Sequence, residues 1–406
     1  MPRVRWPVKP AGGGSVVVFN PYDWQTQEDP YPVYRALRDE APAYYNDELD
    51  FWALSRYADV LGGFRDWQVY SSARGVALEQ RDIPDPSAVM SFLGMDPPRH
   101  DHLRSLVSKG FTPRRMAELE PRIRELARHY IDAFIERGRC EFIEEFAGKL
   151  PMDVVSEMLG VPGDDRDTLR AWAELVLHRE AGRPEVPAAG MEAAANLLRY
   201  FATHVAERRA SPRDDLTEGL IAAEIDGDRL SDKDIIAFLF LMIIAGNETT
   251  TKLLGNAVYW LSTHPDQRKR VREDPGLIPG WVEETLRYDP SSQLIARTLT
   301  RAVELHGRQL PEGAVVALLI GSANRDERVF DSPDVYDVTR NTAQSLAFGQ
   351  GTHFCLGASL ARLEAQVSLE EIQSRLPDFE VQHEGLERVH SGNVRGFAAL
   401  PLEFGR

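Results

Sequence analysis

The chain has 406 residues, of which 43% are hydrophobic and 9% aromatic, so it can build a sizeable core and is not a disordered protein. Its formal net charge of −16 excludes general nucleic-acid binding, because phosphate groups would be repelled. Two cysteines, Cys140 and Cys355, allow one disulfide at most, which excludes a disulfide-rich secreted scaffold. We interpret Cys140 as structural.

The chain shows no internal linker, and residues 18–406 are predicted to form a single domain after a flexible tail of residues 1–17. The first apolar run, Val16 to Phe19, is too short to span a bilayer or to form the core of a signal peptide. We therefore expect a cytoplasmic protein without a membrane partner.

Helical periodicity dominates the chain, and short β-segments lie near both ends. A helix is predicted from Pro30, and a hairpin is predicted from strands 43–45 and 51–54 around Asn46-Asp47-Glu48. Further helices are predicted over 116–137, 151–159, 165–180, 191–209 and 232–261, with strands over 303–306 and 315–320 and a last helix after Cys355. The breaker-rich loop 181–190 is predicted to be mobile. The fold class is mainly α with small β-sheets.

Cys355 lies in a glycine-rich loop immediately before a predicted helix. A helix N-terminus offers free backbone N–H donors and the positive end of the helix dipole, which favour the thiolate that metals require. The loop has a characteristic pattern of residues: Phe348, Gly349, Gly351, His353, Cys355, Leu356 and Gly357. Chance is a poor explanation for so many residues at matching positions. In this pattern the chain resembles the cytochrome P450 family, most closely its soluble bacterial members of actinobacterial type.

The resemblance implies a triangular, prism-like fold with haem b between the long central helix and the cysteine-loop helix, and with iron bound by Cys355. It also implies haem contacts from Ala245, Phe348, Gly349 and Gly357. Partners for the two propionates would be His100 and Arg104, which lie on one helix face, together with Arg297 and His353. Each of these residues taken alone could be an ordinary surface cation.

The predicted long helix contains Gly246 and three successive threonines, which are poor helix formers in an otherwise strong helix. A threonine there can simply bond back to a carbonyl one turn earlier. The resemblance makes Thr249 the alcohol and Glu248 the acid of a pair that delivers protons during dioxygen activation. Glu284 and Arg287 have the spacing i,i+3 and could form an ordinary surface pair. In the family such a pair is completed by a downstream arginine, which matches Arg340, as a buried structural triad.

The resemblance implies a monooxygenase that uses O2, with electrons from a ferredoxin and an NAD(P)H-dependent reductase. An apolar, medium-sized substrate is expected, to be hydroxylated or oxidatively dealkylated. The matching pocket positions are mainly aliphatic with two amides: Leu241, Ile244, Ala245, Thr249, Gln293, Ile295, Asn393 and Val394. A peroxygenase and a haem-binding sensor without turnover are the alternatives, and the Glu248/Thr249 pair argues against the first.

A basic run from Arg99 to Arg115 stands out in this acidic chain, with Asp101 as its single acid. Such a run is most often a solvated helix face. In the family it would flank the proximal side of the haem, where acidic ferredoxins bind, so Arg99, Lys109, Arg114 and Arg115 are the candidate contacts.

Overall fold

The computed structural model describes residues 17–81, 83–180, 182–225 and 227–405. The predicted flexible tail lies outside these residues except for Val17, which packs against the apolar cluster of Phe19 and Phe51. The α-helices described are α1 (Trp24–Glu28), α2 (Tyr31–Glu40), α3 (Tyr57–Arg65), α4 (Ser87–Met90), α5 (Arg99–Ser108), α6 (Pro113–Phe134), α7 (Leu150–Leu159), α8 (Arg166–Leu177), α9 (Ala188–Ala210), α10 (Leu216–Ala222), α11 (Asp232–Thr263), α12 (Pro265–Glu273), α13 (Ile278–Tyr288), α14 (Ile320–Ala323) and α15 (Ala358–Arg375).

The strands are short and lie mostly near the two ends of the chain. They are β1 (Ala43–Asn46), β2 (Phe51–Leu54), β3 (Tyr70–Ser71), β4 (Arg139–Glu141), β5 (Glu224–Ile225), β6 (Asp228–Arg229), β7 (Leu294–Leu299), β8 (Val303–Leu305), β9 (Arg308–Leu310), β10 (Val315–Leu319), β11 (Glu380–Val381), β12 (Glu387–Arg388), β13 (Phe397–Ala399) and β14 (Pro401–Glu403). The fold class is therefore the predicted one.

Local sequence explains where the principal helices begin and end. Ser231 caps α11 in a reciprocal capping box with Asp234, and Thr112 caps α6 by accepting from the Arg115 amide. Helix α7 stops at Gly160, whose φ of 72° is the left-handed conformation that glycine adopts without strain.

The largest sheet has the order β1-β2-β10-β7-β3, in which only β2 and β10 are parallel. The predicted hairpin is confirmed, with Ala43 opposite Leu54 and Asn46 opposite Phe51. Strand β7 pairs with β10 so that Arg297 lies opposite Val316. Arg297 is thereby fixed in the middle of a sheet rather than on a loop.

Helix α11 is the centre of the core. Its residues take part in both of the largest apolar clusters, one with α6, α13 and α15 and the other with α8 and α9. By length and composition α11 could cross a membrane, but 67% of its most apolar stretch is buried inside the protein. A fully hydrophobic helix of this kind is typical of a protein core.

The connection between α8 and α9 differs from the prediction. Helix α8 ends at Leu177 and α9 begins at Ala188, so the loop spans 178–187 and the last three residues of the predicted segment 181–190 are helical. The described part of the loop is also anchored. The Gly182 amide donates to the Tyr22 carbonyl at 2.8 Å, and the Arg179 amide donates to the His390 carbonyl at 3.0 Å.

The side chain of Arg179 adds an ion pair to these backbone anchors. Its guanidinium lies 2.5 Å from the Glu79 carboxylate, which also accepts from the Tyr22 hydroxyl at 3.0 Å. Both charged side chains are almost buried, 8% and 11% exposed. Sequence reasoning missed this anchor because it joins segments about one hundred residues apart.

We predict that Arg179→Ala loosens the loop, because it leaves Glu79 nearly buried without its cation. Amide hydrogen exchange in residues 178–187 should become faster by a factor on the order of ten or more. A loss of about 1.4 kcal/mol in local stability corresponds to a tenfold faster exchange. Arg183→Ala is the matched control, since that side chain is 71% exposed. Equal exchange in both variants would show that the backbone contacts alone hold the loop.

Candidate active site

The cysteine loop is closed by its own backbone. The Cys355 amide donates to the Phe348 carbonyl at 2.9 Å, and Gly349 and Gly351 both have a φ of 68°. A Cβ on Gly351 would lie 2.8 Å from the Phe64 carbonyl oxygen, so only glycine fits there against α3. These contacts hold the cysteine at a fixed place just before α15.

Cys355 is a free thiol that remains accessible, although protein surrounds the loop. Burial raises the pKa of this thiol, while the amides of Gly357 and Ala358 and the charges of Arg104 and Arg362 act in the opposite direction. The same donors that oppose the rise would stabilise a thiolate once a metal replaces the proton. Cys140 is also free, but it is buried in β4, and burial raises the pKa of its thiol as well.

The middle of α11 is open on one side. Ala245 is exposed and Gly246 and Thr249 are half-buried, whereas Leu241 and Ile244 are buried. Ala245 is an exposed residue in the centre of a 32-residue helix that otherwise belongs largely to the core. Leu356, the neighbour of Cys355, packs against the large apolar cluster that has Leu241 and Ile244 among its members. This part of α11 and the cysteine loop therefore border the same cluster.

Four side chains predicted to bind propionates meet beside the cysteine loop. The rings of His100 and His353 are 4.3 Å apart, and Arg104 donates to the Thr352 carbonyl at 3.0 Å. Burial, together with the charges of Arg297, His100 and Arg104, lowers the pKa of His353 to about 2, so its ring stays neutral.

Several polar atoms of these groups lack a hydrogen-bond partner within the described chain, although Nδ1 of His100 lies 2.8 Å from the Asp101 carboxylate. Both ring nitrogens of His353 and Nε2 of His100 are buried without a hydrogen bond to any described residue. Arg297 is buried, forms no salt bridge with a described residue and donates only to the neighbouring Ala296 carbonyl at 2.7 Å. Burial lowers the pKa of Arg297 to about 10, which still leaves it charged. Buried, unpaired donors of this kind fit a bound group with two carboxylates, as haem has.

The acid and the alcohol of α11 do not contact each other. Thr249 is half-buried, and its hydroxyl donates to the Ala245 carbonyl at 2.7 Å, which is the back-bonding that the sequence left open. The Glu248 carboxylate lies 3.2 Å from the ammonium group of Lys252, with both side chains at most 5% exposed. Lys252 also donates to the Phe397 carbonyl at 3.1 Å.

The residues Glu284, Arg287 and Arg340 form one buried cluster. Arg287 donates two hydrogen bonds to Glu284, at 2.7 and 2.8 Å, and both side chains are fully buried. Arg340 donates to the same carboxylate at 3.2 Å. This is a structural brace, because all three groups are engaged with one another and with backbone carbonyls.

Besides Ala245 and Thr249, the predicted pocket positions fall into two groups of three. Gln293, Asn393 and Val394 line a small cavity of about 30 Å³, large enough for water but not for a medium-sized organic molecule. The Gln293 amide donates to the Pro290 carbonyl at 2.8 Å. Leu241 lies four residues before Ala245 on the same face of α11 but is buried, as is Ile244, and Ile295 is half-buried in β7.

Sequence reasoning missed two residues near the α11 pair. Lys252 is one, because a lysine on a helix is ordinarily exposed, although Glu248 four positions earlier was a signal. Ser291 is the other, and its hydroxyl donates to the Thr249 carbonyl at 2.7 Å. No sequence signal could have found it, since the contact is long-range.

Comparison with known proteins identifies the family of this chain. The family model described as Cytochrome P450 matches residues 185–275 and 277–401. Cytochrome P450 123 of Mycobacterium tuberculosis is 55% identical over 392 residues, which cover 96% of this chain and 98% of that protein. The vitamin D(3) 25-hydroxylase of Pseudonocardia autotrophica is 39% identical over 398 residues and 96% of each chain.

Among solved structures, CYP109E1 from Bacillus megaterium in complex with testosterone superposes with a TM-score of 0.89. It is 31% identical, with 94% of this chain and 99% of that chain covered. The chain therefore belongs to the cytochrome P450 family. It is a haem-dependent monooxygenase, and the family binds the haem iron through a cysteine.

We predict that Lys252→Met lowers the free energy of unfolding by about 3–5 kcal/mol, because it strands the buried Glu248 carboxylate. Urea unfolding of the haem-loaded protein measures this change. Lys269→Met is the control, since Lys269 forms the same i,i+4 pair with Glu273 on an exposed helix face, where it contributes about 0.2–0.5 kcal/mol. The double variant Lys252→Met with Glu248→Gln should recover most of the loss. Similar small losses in both lysine variants would contradict a buried pair.

Proposed function

We propose that this chain inserts one oxygen atom from O2 into an apolar, medium-sized organic molecule, by hydroxylation or oxidative dealkylation. The observation that carries the proposal is the accessible thiol of Cys355 in a loop closed by backbone hydrogen bonds. The reaction consumes two electrons and two protons: the substrate gains one oxygen atom and the other leaves as water. A cytoplasmic location is part of the proposal, supported by the burial of α11.

The cofactor we propose is haem b, with iron bound by Cys355. When bound, it supplies O2 activation and oxygen transfer. His100, Arg104, Arg297 and His353 would hold the propionates. Nε2 of His100 and both ring nitrogens of His353 lack hydrogen-bond partners in the described chain, and Arg297 donates only to the Ala296 carbonyl. Ala245 on the open face of α11 and Phe348, Gly349 and Gly357 in the cysteine loop would contact the ring. A Cβ on Gly357 would meet no protein atom within 4 Å, which leaves space at that point.

Proton delivery is assigned to Thr249 and Glu248. The Thr249 hydroxyl lies on the open face of α11 and can turn from the Ala245 carbonyl to donate a proton there. Glu248 is one residue away but is held by Lys252, so it must leave that pair to pass a proton to Thr249. This pair supports use of O2 rather than of peroxide, because a peroxide-driven enzyme needs no proton supply of this kind.

The substrate pocket that we propose contains only some of the positions that match the pocket of the family. Leu241, Ile244 and Ile295 supply apolar contact next to Ala245 and Thr249, while Gln293, Asn393 and Val394 belong to the small neighbouring cavity. A relative named for vitamin D(3) hydroxylation and a structure solved with testosterone make steroids and related molecules the first candidates. Substrate-induced change in the haem spectrum across a panel that starts with these two compounds would identify the class.

Electrons are proposed to enter from a ferredoxin, itself reduced by an NAD(P)H-dependent reductase, at the face around Phe354. This aromatic ring is 38% exposed beside Cys355 and is an apolar contact point. Arg104 from α5 donates to the carbonyls of Thr352 and Phe354. Arg124 of α6 contacts Glu370 of α15, and Arg375, further along α15, contacts Asp132, further along α6. The two helices thus run parallel, and the basic start of α6 lies near the start of α15.

The candidate docking residues are not equally free. Arg99 lies 3.4 Å from Asp234, and Arg114 pairs with Glu118 at 3.0 Å although its side chain is 90% exposed. Lys109 reaches the Glu224 carbonyl at 3.3 Å, and Arg115 is exposed. Surface pairs of this type are weak, so all four remain available to an acidic partner.

We predict that Cys355→His abolishes the red-shifted absorption of the reduced, carbon monoxide-bound protein, because that shift requires a thiolate ligand. The absorption spectrum of purified haem-loaded protein tests this directly. Cys140→Ser should keep the wild-type spectrum, since Cys140 is buried in a β-strand. Loss of the shift in Cys140→Ser and its retention in Cys355→His would overturn the proposed ligand.

We predict that Lys109→Glu with Arg115→Glu slows reduction by ferredoxin roughly tenfold at low salt and weakens its dependence on ionic strength. Stopped-flow reduction rates at several salt concentrations provide the measurement. Lys269→Glu with Arg183→Glu makes the same change of charge at exposed positions elsewhere and serves as the control. An equal effect of both double variants would show that the basic segment is an ordinary solvated helix face and does not bind ferredoxin.

A further inference from the structure

The carbonyl of Thr249 accepts a hydrogen bond from outside its own helix. In a continuous α-helix this oxygen already accepts the amide of Leu253, and Ser291 adds its hydroxyl at 2.7 Å. Ser291 is only 5% exposed and lies in the connection between α13 and β7. One turn earlier, the Ala245 carbonyl also has a second donor, the Thr249 hydroxyl at 2.7 Å. Two successive turns of α11 thus carry an additional donor at the open face.

Ser291 is held firmly from its other side. Its carbonyl accepts the Arg395 amide at 2.7 Å, and the Arg395 guanidinium donates to the buried Asp289 carboxylate at 2.7 Å. Asn256, two turns along α11, donates to the carbonyls of Asp289 and Arg395 at 3.0 and 3.3 Å. The connection is therefore fixed to α11 at Asn256 and again at Thr249. A hydroxyl placed by such a rigid segment can impose a position on the residue it contacts.

A second donor changes the geometry of a helix carbonyl. It draws the oxygen away from the helix axis and weakens the bond to the amide four residues later, as solvent does on the outer side of curved helices. At Thr249 the backbone unit that moves is the one that carries the proposed catalytic hydroxyl. We propose that Ser291 is a positioning residue, which sets the place and direction of the Thr249 hydroxyl through its carbonyl. This inference rests on the role proposed for Thr249.

The exchange rate of the Leu253 amide tests the contact without requiring turnover. In Ser291→Ala the Thr249 carbonyl accepts a hydrogen bond only from the Leu253 amide, and that bond becomes stronger. Amide hydrogen exchange in a peptide spanning 249–255 should therefore slow about three- to tenfold in haem-loaded protein. If Ser291 were only an anchor for the loop, its loss would loosen α11 and the same peptide would exchange faster. Ser291→Thr, which keeps the hydroxyl, should exchange at the wild-type rate.

The share of consumed electrons that appears in product tests whether the position of the Thr249 hydroxyl affects turnover. Ser291→Ala should release a severalfold larger share of the electrons as hydrogen peroxide, and Ser291→Thr should restore the wild-type share. Ser292→Ala is the matched control, because Ser292 is half-buried and bridges Val394 through its backbone. Adding Ser291→Ala to Thr249→Ala should cause no further loss, since both act through one hydroxyl.

The outcomes separate this inference from the proposed function. Slower exchange with impaired coupling in Ser291→Ala alone supports the positioning role. Faster or unchanged exchange, or normal coupling, overturns it. If the wild-type protein gives the thiolate spectrum but oxidises no compound in the panel, the proposed function fails instead, and slower exchange would then support only the contact to Thr249.

Discussion

The buried carboxylate of Glu284 is the interaction on which the site depends. It binds Arg287 and Arg340 together, and Arg287 also donates to the Asn324 carbonyl at 3.0 Å. Asn324 in turn accepts the Leu346 amide at 2.7 Å, two residues before Phe348 in the cysteine loop. A chain of buried polar contacts thus runs from α13 to Leu346, two residues before the residue whose carbonyl closes that loop. Removing any charge from it would strand another, which is why such networks are rigid.

The charge beside Cys355 differs in sign from the net charge of the chain. The chain as a whole is acidic, yet the region beside Cys355 gathers the buried His100, the half-buried His353 and the buried Arg297. The burial of the Arg297 charge without a salt bridge to a described residue is unfavourable for the protein alone, and an anionic group bound there would offset that cost. The stability of this region is therefore linked to the binding of haem, in the way that any ligand stabilises the state that binds it.

Two connections tie the active site to distant segments of the chain. The loop 178–187 is fixed to Glu79 and Tyr22, and the segment Asp289–Ser291 is fixed to Arg395 and to α11. Both use buried charged groups rather than apolar packing. A charge pair of this kind has one favourable geometry, so it defines position more sharply than an apolar contact of the same size.

The sequence by itself determined the fold class, the central helix and the glycine-rich loop before α15, because periodicity, capping residues and glycine spacing are local features. It also pointed to the residues that meet around His353, through their motifs. Only the tertiary structure decided that Glu248 pairs with Lys252, that Ser291 reaches Thr249, and that the Gln293 amide bonds the Pro290 carbonyl. It likewise decided that the loop after α8 is anchored. These contacts join residues remote in sequence or select one rotamer among several, and the packing of the whole chain makes that choice.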